Sequence, residues 1–180
     1  MRICMIGASD VANGHEWRRT MKDLRTDFEF VGTKDDGHFL HEGVPHNTSG
    51  DMLARIGDTP DCDVATVLAG GNDMIQGVPN WVTVNNIQSI VNALNARNIT
   101  VYVMAIPPSN MGADANTAIL YLNLKLRKNI NGAQEINLFD AVAKCGIAED
   151  LLYVSDNIHF TDRMYREVLA PYTAPLITNN

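Results

Sequence analysis

Short runs of apolar residues recur along the chain, and each run closes at a glycine, a proline or a polar residue. The clearest runs span residues 3–6, 28–31, 64–69 and 100–106, and a weaker run spans residues 135–139. Runs this short, apolar at nearly every position, are typical of parallel strands that are buried on both faces. The sequence therefore predicts five parallel strands in one sheet.

Segments with helical periodicity lie between these runs. The strongest is Val82–Ala96, where apolar residues recur every three or four positions and form a one-sided stripe. Weaker patterns predict further helices over residues 17–24, 51–56, 113–130 and 162–176, and Pro171 is expected to end or bend the last of them. Residues 34–47 form the longest predicted loop. This alternation of strands and helices predicts a doubly wound α/β sheet.

Length and charge limit the possible functions. A chain of 180 residues with 46% hydrophobic residues is large enough for one domain with its own core, which we assign to residues 1–180. Fourteen basic against 21 acidic residues give a formal net charge of −7, which disfavours binding to nucleic acid or to an anionic membrane surface. The N-terminal apolar run is too short for a signal peptide. We expect a cytoplasmic protein, or secretion after removal of a leader, with a small or neutral ligand.

The sequence lacks the usual patterns of metal and cofactor sites. Three cysteines have no paired spacing, and His38, His41 and His46 share one loop without the spacing of zinc ligands. No Gly-x-Gly-x-x-Gly or Walker motif follows a strand, which disfavours a nucleotide-binding or flavin-binding protein. We therefore expect no cofactor and no functional metal.

Polar residues follow the first and third predicted strands. Ser9 comes directly after the first strand, where it either caps the next helix or serves as a nucleophile. Asn72 follows the glycine pair after the third strand, where it either belongs to an ordinary turn or donates to an oxyanion. The carboxyl ends of parallel strands meet at one edge of the sheet, so both residues are expected near that edge.

An Asp-x-x-His pattern lies just before the last predicted helix. Asp156 and His159 are three residues apart, so the carboxylate is able to hold the imidazole in one tautomer and stabilise its protonated form. The alternative is a cluster of residues that caps the helix at Thr161 or Asp162. With a serine after the first strand, the chain order Ser, Asp, His favours catalysis.

Four motifs in this order resemble those of the SGNH hydrolases, also called the GDSL esterase/lipase family. Gly7-Ala8-Ser9 is similar to the first motif, and Gly50 is placed at the glycine of the second. The third motif, Gly-x-Asn-Asp, is met by residues 70–73, and the last, Asp-x-x-His, by residues 156–159. The resemblance implies a flavodoxin-like three-layer α/β/α sandwich with a five-stranded parallel sheet.

The resemblance also implies catalytic roles. Ser9 would be the nucleophile, His159 its base and Asp156 the residue that orients His159. The backbone N–H groups of Ser9 and Gly50 and the side-chain amide of Asn72 would form the oxyanion hole. The implied reaction is hydrolysis of a carboxylic ester without a metal.

A finer similarity concerns the acetylxylan-esterase branch of the carbohydrate esterases. Phe28–Thr33 followed by His41-Glu42-Gly43 is similar to a strand and loop of that branch. The expected substrate is therefore a short acyl ester, such as an acetyl group on a sugar hydroxyl. A short-chain thioesterase or lysophospholipase is an alternative.

One position departs from the family pattern. The aspartate of Gly-Asp-Ser is replaced by Ala8, and an aspartate stands instead at Asp10, on the other side of the serine. This departure leaves open a non-catalytic module that binds an acylated glycan in a decayed site.

Overall fold

The computed structural model of the protein describes residues 1–178. Within them, seven strands form one sheet. In chain order the strands are β1 (Arg2–Gly7), β2 (Glu29–Val31), β3 (Lys34–Asp35), β4 (Leu40–Gly43), β5 (Val64–Val67), β6 (Thr100–Met104) and β7 (Gln134–Ile136). Each of the five predicted strands is present, with its ends shifted by at most three residues.

The strand order is β3-β4-β1-β5-β6-β7, and β2 also pairs with β1. Both β2 and β4 run parallel to β1. β2 pairs with residues 2–4 of β1 and β4 pairs with residues 6–7, so these two strands share one position in the sheet, one after the other. The sheet therefore has five parallel positions, in agreement with the prediction.

The prediction of a purely parallel sheet, with a loop across residues 34–47, is wrong at one edge. There β3 pairs with β4 in the antiparallel direction. The turn between them is held by Asp36, whose side chain accepts hydrogen bonds from the backbone N–H groups of His38 and Phe39. Aspartate favours such turns, which explains a hairpin without an apolar run of its own.

Nine α-helical segments accompany the strands within the described residues, and the last three follow β7. They are α1 (Ser9–Ala12), α2 (His15–Leu24), α3 (Ser49–Ala54), α4 (Gly71–Ile75), α5 (Asn80–Asn95), α6 (Ala113–Asn129), α7 (Leu138–Ala143), α8 (Asp162–Met164) and α9 (Ala170–Thr173). Short 3₁₀ turns cover Ile56–Asp58 and Glu149–Leu151, and a π-helical turn, Tyr165–Leu169, joins α8 to α9. Pro171 lies in the first turn of α9, where its missing N–H does no harm.

The sheet separates two apolar cores. Ile3 and Met5 of β1 belong to the core beneath α2 and α7, whereas Cys4 and Ile6 belong to the core beneath α3, α5 and α6. Successive side chains of a strand point to opposite faces, so a continuous apolar run is needed to supply both cores. Full burial of one such side chain contributes about 1.5–3 kcal/mol. The three-layer α/β/α architecture is confirmed.

The strand ends position the polar residues. β1 is followed at once by α1, and β5 is followed by α4, so the start of each helix lies at the carboxyl edge of the sheet. Among the described residues, no helix is both long and apolar enough to cross a membrane.

Candidate active site

The turn after β1 places Ser9 at the first position of α1. α1 packs closely on the end of β4, where a Cβ atom at Gly43 would lie 2.3 Å from the backbone nitrogen of Ala12. The fully buried Arg18 holds the same end of α1 by donating a hydrogen bond of 2.5 Å to the carbonyl of Val11. Tyr165 OH donates to the carbonyl of Asp10 at 2.8 Å, so α1 is held from several sides and presents Ser9 at a defined place.

The Asp-x-x-His pattern forms a compact turn. Asp156 Oδ1 accepts hydrogen bonds of 2.9 Å from the backbone N–H groups of Ile158 and His159. Its other oxygen, Oδ2, lies 2.6 Å from His159 Nδ1. The bond to the His159 side chain and those two backbone bonds lower the pKa of Asp156 to about 2. The carboxylate is therefore ionised at neutral pH and suited to hold the proton of the imidazole on Nδ1.

The structure brings this turn to Ser9. His159 Nε2 lies 2.9 Å from Ser9 Oγ, although the two residues are 150 positions apart in the chain. With the proton on Nδ1, Nε2 accepts a hydrogen bond from the serine hydroxyl. The three residues that the sequence singled out as a candidate triad thus lie in hydrogen-bond contact.

The position of the turn depends on a neighbouring loop. Asn157 has a φ of 63°, a left-handed conformation that asparagine tolerates better than most residues. The backbone N–H of Asn110 donates to the Asn157 carbonyl at 3.0 Å, and the Asn110 side-chain amide donates to Asn157 Oδ1 at 2.9 Å. These bonds tie the turn that carries His159 to the segment after β6.

Asn72 reaches the same site from the start of α4. Gly70, the residue before this helix, has a φ of 112°, a conformation that favours glycine. Asn72 Nδ2 donates a hydrogen bond of 2.9 Å to the backbone carbonyl of Asn47. The second N–H of the amide makes no protein hydrogen bond within the described residues, and Asn72 lines the same cavity as Ser9.

Gly50 occupies a different place from the other candidates. It is the second residue of α3 and does not belong to the residues that line the cavity beside Ser9. His46 and Asn47 line the cavity instead. His46 has a φ of 66°, in the left-handed region where glycine is the usual residue. No sequence pattern singled out this backbone conformation.

The cavity is small and open to solvent on one side. It has a volume of about 250 Å³. Apolar side chains form much of its wall, namely Met52, Leu68, Ile75, Ile106 and Ile158. An apolar wall beside Ser9 suits an uncharged ligand group rather than an anionic one.

Asp10 is a further charged group at this cavity. It is half-buried, and its side chain makes no hydrogen bond that would compensate its charge among the described residues. Burial raises the pKa of Asp10 to about 6; the charge of His159 opposes this shift and that of Asp156 adds to it. Asp10 stands beside Ser9 in a chain that has lost the motif aspartate at Ala8.

The described residues contain no group of three or more histidine, cysteine or acidic side chains arranged to hold a metal ion. His41, one of the three histidines of the predicted loop, lies buried in β4, and its Nδ1 accepts a hydrogen bond from the N–H of Gly43. Burial lowers the pKa of His41 to about 4, so the ring is neutral at physiological pH.

Comparison with known proteins identifies the family. The model of the GDSL-like lipase/acylhydrolase family matches residues 5–167. The chain belongs to this family. Carboxylic ester hydrolysis is its activity class, in agreement with the sequence prediction. A search of curated proteins found no sequence match.

Solved structures of this acylhydrolase's relatives share its fold at low sequence identity. A carbohydrate esterase family 3 protein from Talaromyces cellulolyticus is 18% identical with a TM-score of 0.79, over 98% of this chain and 95% of that one. The acetyl xylan esterase AlAXEase is 16% identical with a TM-score of 0.79, over 99% and 100%. Esterase EstA from Pseudoalteromonas is 18% identical with a TM-score of 0.73, over 97% and 94%.

Proposed function

We propose that this acylhydrolase cleaves short acyl esters, foremost acetyl esters of carbohydrates, through a Ser-His-Asp triad and an acyl-enzyme. One observation carries the proposal. A line of hydrogen-bond contacts runs from Ser9 Oγ to His159 Nε2 at 2.9 Å, and from His159 Nδ1 to Asp156 Oδ2 at 2.6 Å. This is the arrangement that a serine nucleophile needs, because the hydroxyl is a weak nucleophile without an adjacent base.

In the first half of the reaction, His159 Nε2 takes the proton of Ser9 as Oγ bonds to the ester carbonyl carbon. The carbonyl π electrons move onto oxygen and form a tetrahedral oxyanion. Asp156 stabilises the imidazolium that results. The imidazolium then gives its proton to the alcohol oxygen, the C–O bond breaks, and the alcohol leaves an acyl group on Ser9.

Donors at the cavity would stabilise the oxyanion. The backbone N–H of Ser9 has no intrahelical partner, because it lies in the first turn of α1. The free N–H of the Asn72 side chain is the second donor. The N–H of Gly50 remains a prediction from the family resemblance, and the proposal depends on the first two donors alone.

In the second half, water attacks the acyl carbonyl while His159 removes its proton. Collapse of the second tetrahedral oxyanion breaks the bond to Ser9 Oγ, which recovers the proton from the imidazolium. The carboxylic acid leaves and the enzyme returns to its starting state.

Two findings support a short acyl group and a sugar alcohol. The cavity of about 250 Å³ is below the usual range for pockets that enclose drug-sized ligands, roughly 300–1,000 Å³. Two of the solved structures that share the fold are a carbohydrate esterase family 3 protein and an acetyl xylan esterase.

Hydrolysis of p-nitrophenyl acetate tests the nucleophile. The Ser9→Ala protein should lose hydrolysis and also lose covalent labelling by a fluorophosphonate. Ser155→Ala is the matched control, because Ser155 is an exposed serine in the loop that carries Asp156. Full activity of Ser9→Ala would refute the triad, whereas an unlabelled wild-type protein that still binds acetylated glycans would favour a binding module.

Substrate comparison tests the acyl group and the alcohol. We expect release of acetate from acetylated xylo-oligosaccharides and faster hydrolysis of acetyl than of octanoyl p-nitrophenyl esters. Preference for octanoyl esters or for lysophospholipid would contradict the proposed substrate class. Faster turnover of acetyl thioesters than of oxygen esters would point to a thioesterase.

A further inference from the structure

Asn72 needs an external partner to point its amide at the cavity. The terminal torsion of an asparagine side chain is broad, so the amide alone does not hold one orientation. In this structure one N–H of Asn72 donates to the Asn47 carbonyl at 2.9 Å. Because the amide group is planar, that bond also fixes the direction of the other N–H.

Asn47 is itself held by an arginine. Arg55 Nε donates a hydrogen bond of 3.0 Å to Asn47 Oδ1. The backbone N–H of Asn47 donates to the carbonyl of Val44 at 3.2 Å, which closes a turn. The position of the carbonyl that receives Asn72 therefore depends on a side-chain contact and a turn, not on regular secondary structure.

Arg55 in turn is fixed to the sheet. Its Nη1 lies 2.9 Å from Glu42 Oε2, and its Nη2 donates to the Glu42 carbonyl at 2.7 Å. Glu42 is 2% exposed and sits in β4, and its other carboxylate oxygen accepts from the N–H of Thr33 at 2.5 Å. The guanidinium fork is thus held by a buried carboxylate at the edge of the sheet.

We infer that Arg55 is a positioning residue for the oxyanion hole. Arg55 is fixed to β4 and holds Asn47, whose carbonyl accepts a hydrogen bond from the amide of Asn72. These contacts keep the other N–H of Asn72 directed at the developing negative charge. Preorganised donors stabilise a transition state because they need no reorientation during the reaction. The inference rests on the proposed role of Asn72 and goes beyond it, because Arg55 does not line the cavity.

A double-mutant cycle on p-nitrophenyl acetate hydrolysis tests this inference. Asn72→Ala alone should lower kcat about 10²–10³-fold, as for removal of one oxyanion donor. Arg55→Lys keeps the positive charge beside Glu42 but loses the planar fork that reaches Asn47. We expect Arg55→Lys to lower kcat roughly 10-fold with an unchanged KM, less than loss of the donor itself. In the Asn72→Ala background the same change should cost less than about twofold.

Asn47→Ala provides a second route if Arg55→Lys folds poorly. It removes the acceptor of Arg55 and leaves the ion pair with Glu42 intact, so it should reproduce the kcat loss of Arg55→Lys. Arg127→Lys is the matched control, because Arg127 makes an exposed ion pair with Glu135 away from the cavity. Its kcat should be that of the wild type.

The outcomes separate the two claims. Wild-type activity of Asn72→Ala would refute the oxyanion role on which the inference rests. If Asn72→Ala is impaired but Arg55→Lys costs the same kcat factor in both backgrounds, Arg55 acts elsewhere and the inference is wrong. An Arg55→Lys protein with wild-type kcat would also overturn it.

Discussion

His159 Nε2 lies 2.9 Å from Ser9 Oγ, although the two residues are 150 positions apart in the chain. Ser9 is held by α1 on one side of the sheet edge, whereas His159 is held by a turn fixed to Asn110. Their contact is therefore made by the tertiary fold. Variants that change the chemistry of the turn without moving it separate catalysis from folding.

Asp156→Asn is such a variant. The amide is nearly isosteric with the carboxylate but offers an N–H to the imidazole, which favours the wrong tautomer of His159. We expect kcat for p-nitrophenyl acetate to fall about 10²–10⁴-fold, because an asparagine in this triad position gives up to about 10⁴. Asp162→Asn is the control, since Asp162 is an exposed acid in the next turn. Equal activities of the two variants would count against the triad.

Arg18→Met is expected to lower the free energy of unfolding, although Arg18 does not line the cavity. Arg18 is fully buried, lies 2.6 Å from Asp36 Oδ2 and holds the end of α1. Loss of one partner of a buried pair costs about 3–5 kcal/mol in the free energy of unfolding. Arg19→Met, at the half-exposed neighbour that pairs with Glu16 at 3.3 Å, should cost less than about 1 kcal/mol.

Urea unfolding of both variants measures the difference. A small effect at Arg18 would mean that Asp36 and the α1 carbonyls find other partners in the variant.

Asp10→Asn should change the pH dependence of stability. In the fold the pKa of Asp10 is about 6, above the usual value of 3.8. Between these two values the unfolded chain loses its proton first, so the contribution of Asp10 to stability falls as the pH rises from about 4 to about 6. The asparagine variant lacks this loss. Its free energy of unfolding should exceed that of the wild type by on the order of 2 kcal/mol at pH 8 and equal it at pH 4.

Urea unfolding of wild type and variant at both pH values checks this sign, because the other titrating groups cancel in the comparison. An equal difference at pH 4 and at pH 8 would show that the substitution acts through packing.

His46 combines strain with a place at the cavity wall. At a φ of 66° glycine avoids the steric cost of a Cβ atom, about 1–2 kcal/mol for a left-handed residue. Both His46→Gly and His46→Ala remove the imidazole and enlarge the cavity, so both should raise the rate on butanoyl relative to acetyl esters. In thermal unfolding, His46→Gly should have a higher Tm than His46→Ala, because glycine avoids the steric cost at this φ. Unchanged chain-length preference in both variants would mean that the ring does not limit the acyl group.

The sequence predicted the sheet well because its strands are buried on both faces. A run such as residues 64–69 is apolar at every position except Thr66, and burial on two faces leaves few other structures for it. The hairpin of β3 and β4 escaped prediction because it depends on the side chain of Asp36 rather than on an apolar pattern. The last predicted helix, 162–176, contains a π-helical turn at Tyr165–Leu169 and ends at Thr173, two residues beyond Pro171.

Residues of the candidate site could be predicted where they belong to short local motifs. Ser9, Asn72 and the Asp156–His159 pattern each follow a strand or precede a helix, and the fold brings them together. Arg55 and His46 gave no such signal. The importance of Arg55 comes from contacts with residues 8 and 13 positions away, and that of His46 comes from a backbone angle.

The separation of 150 residues between the hydroxyl and its base has a consequence for biosynthesis. In the proposed mechanism, a ribosome-bound chain that has emerged only as far as β7 already carries the nucleophile Ser9 but lacks its base, His159. The same holds for a proteolytic fragment cut between β6 and α6. If the proposed mechanism holds, ester turnover requires the chain to be present from Ser9 through His159, so an activity assay follows its synthesis or its cleavage.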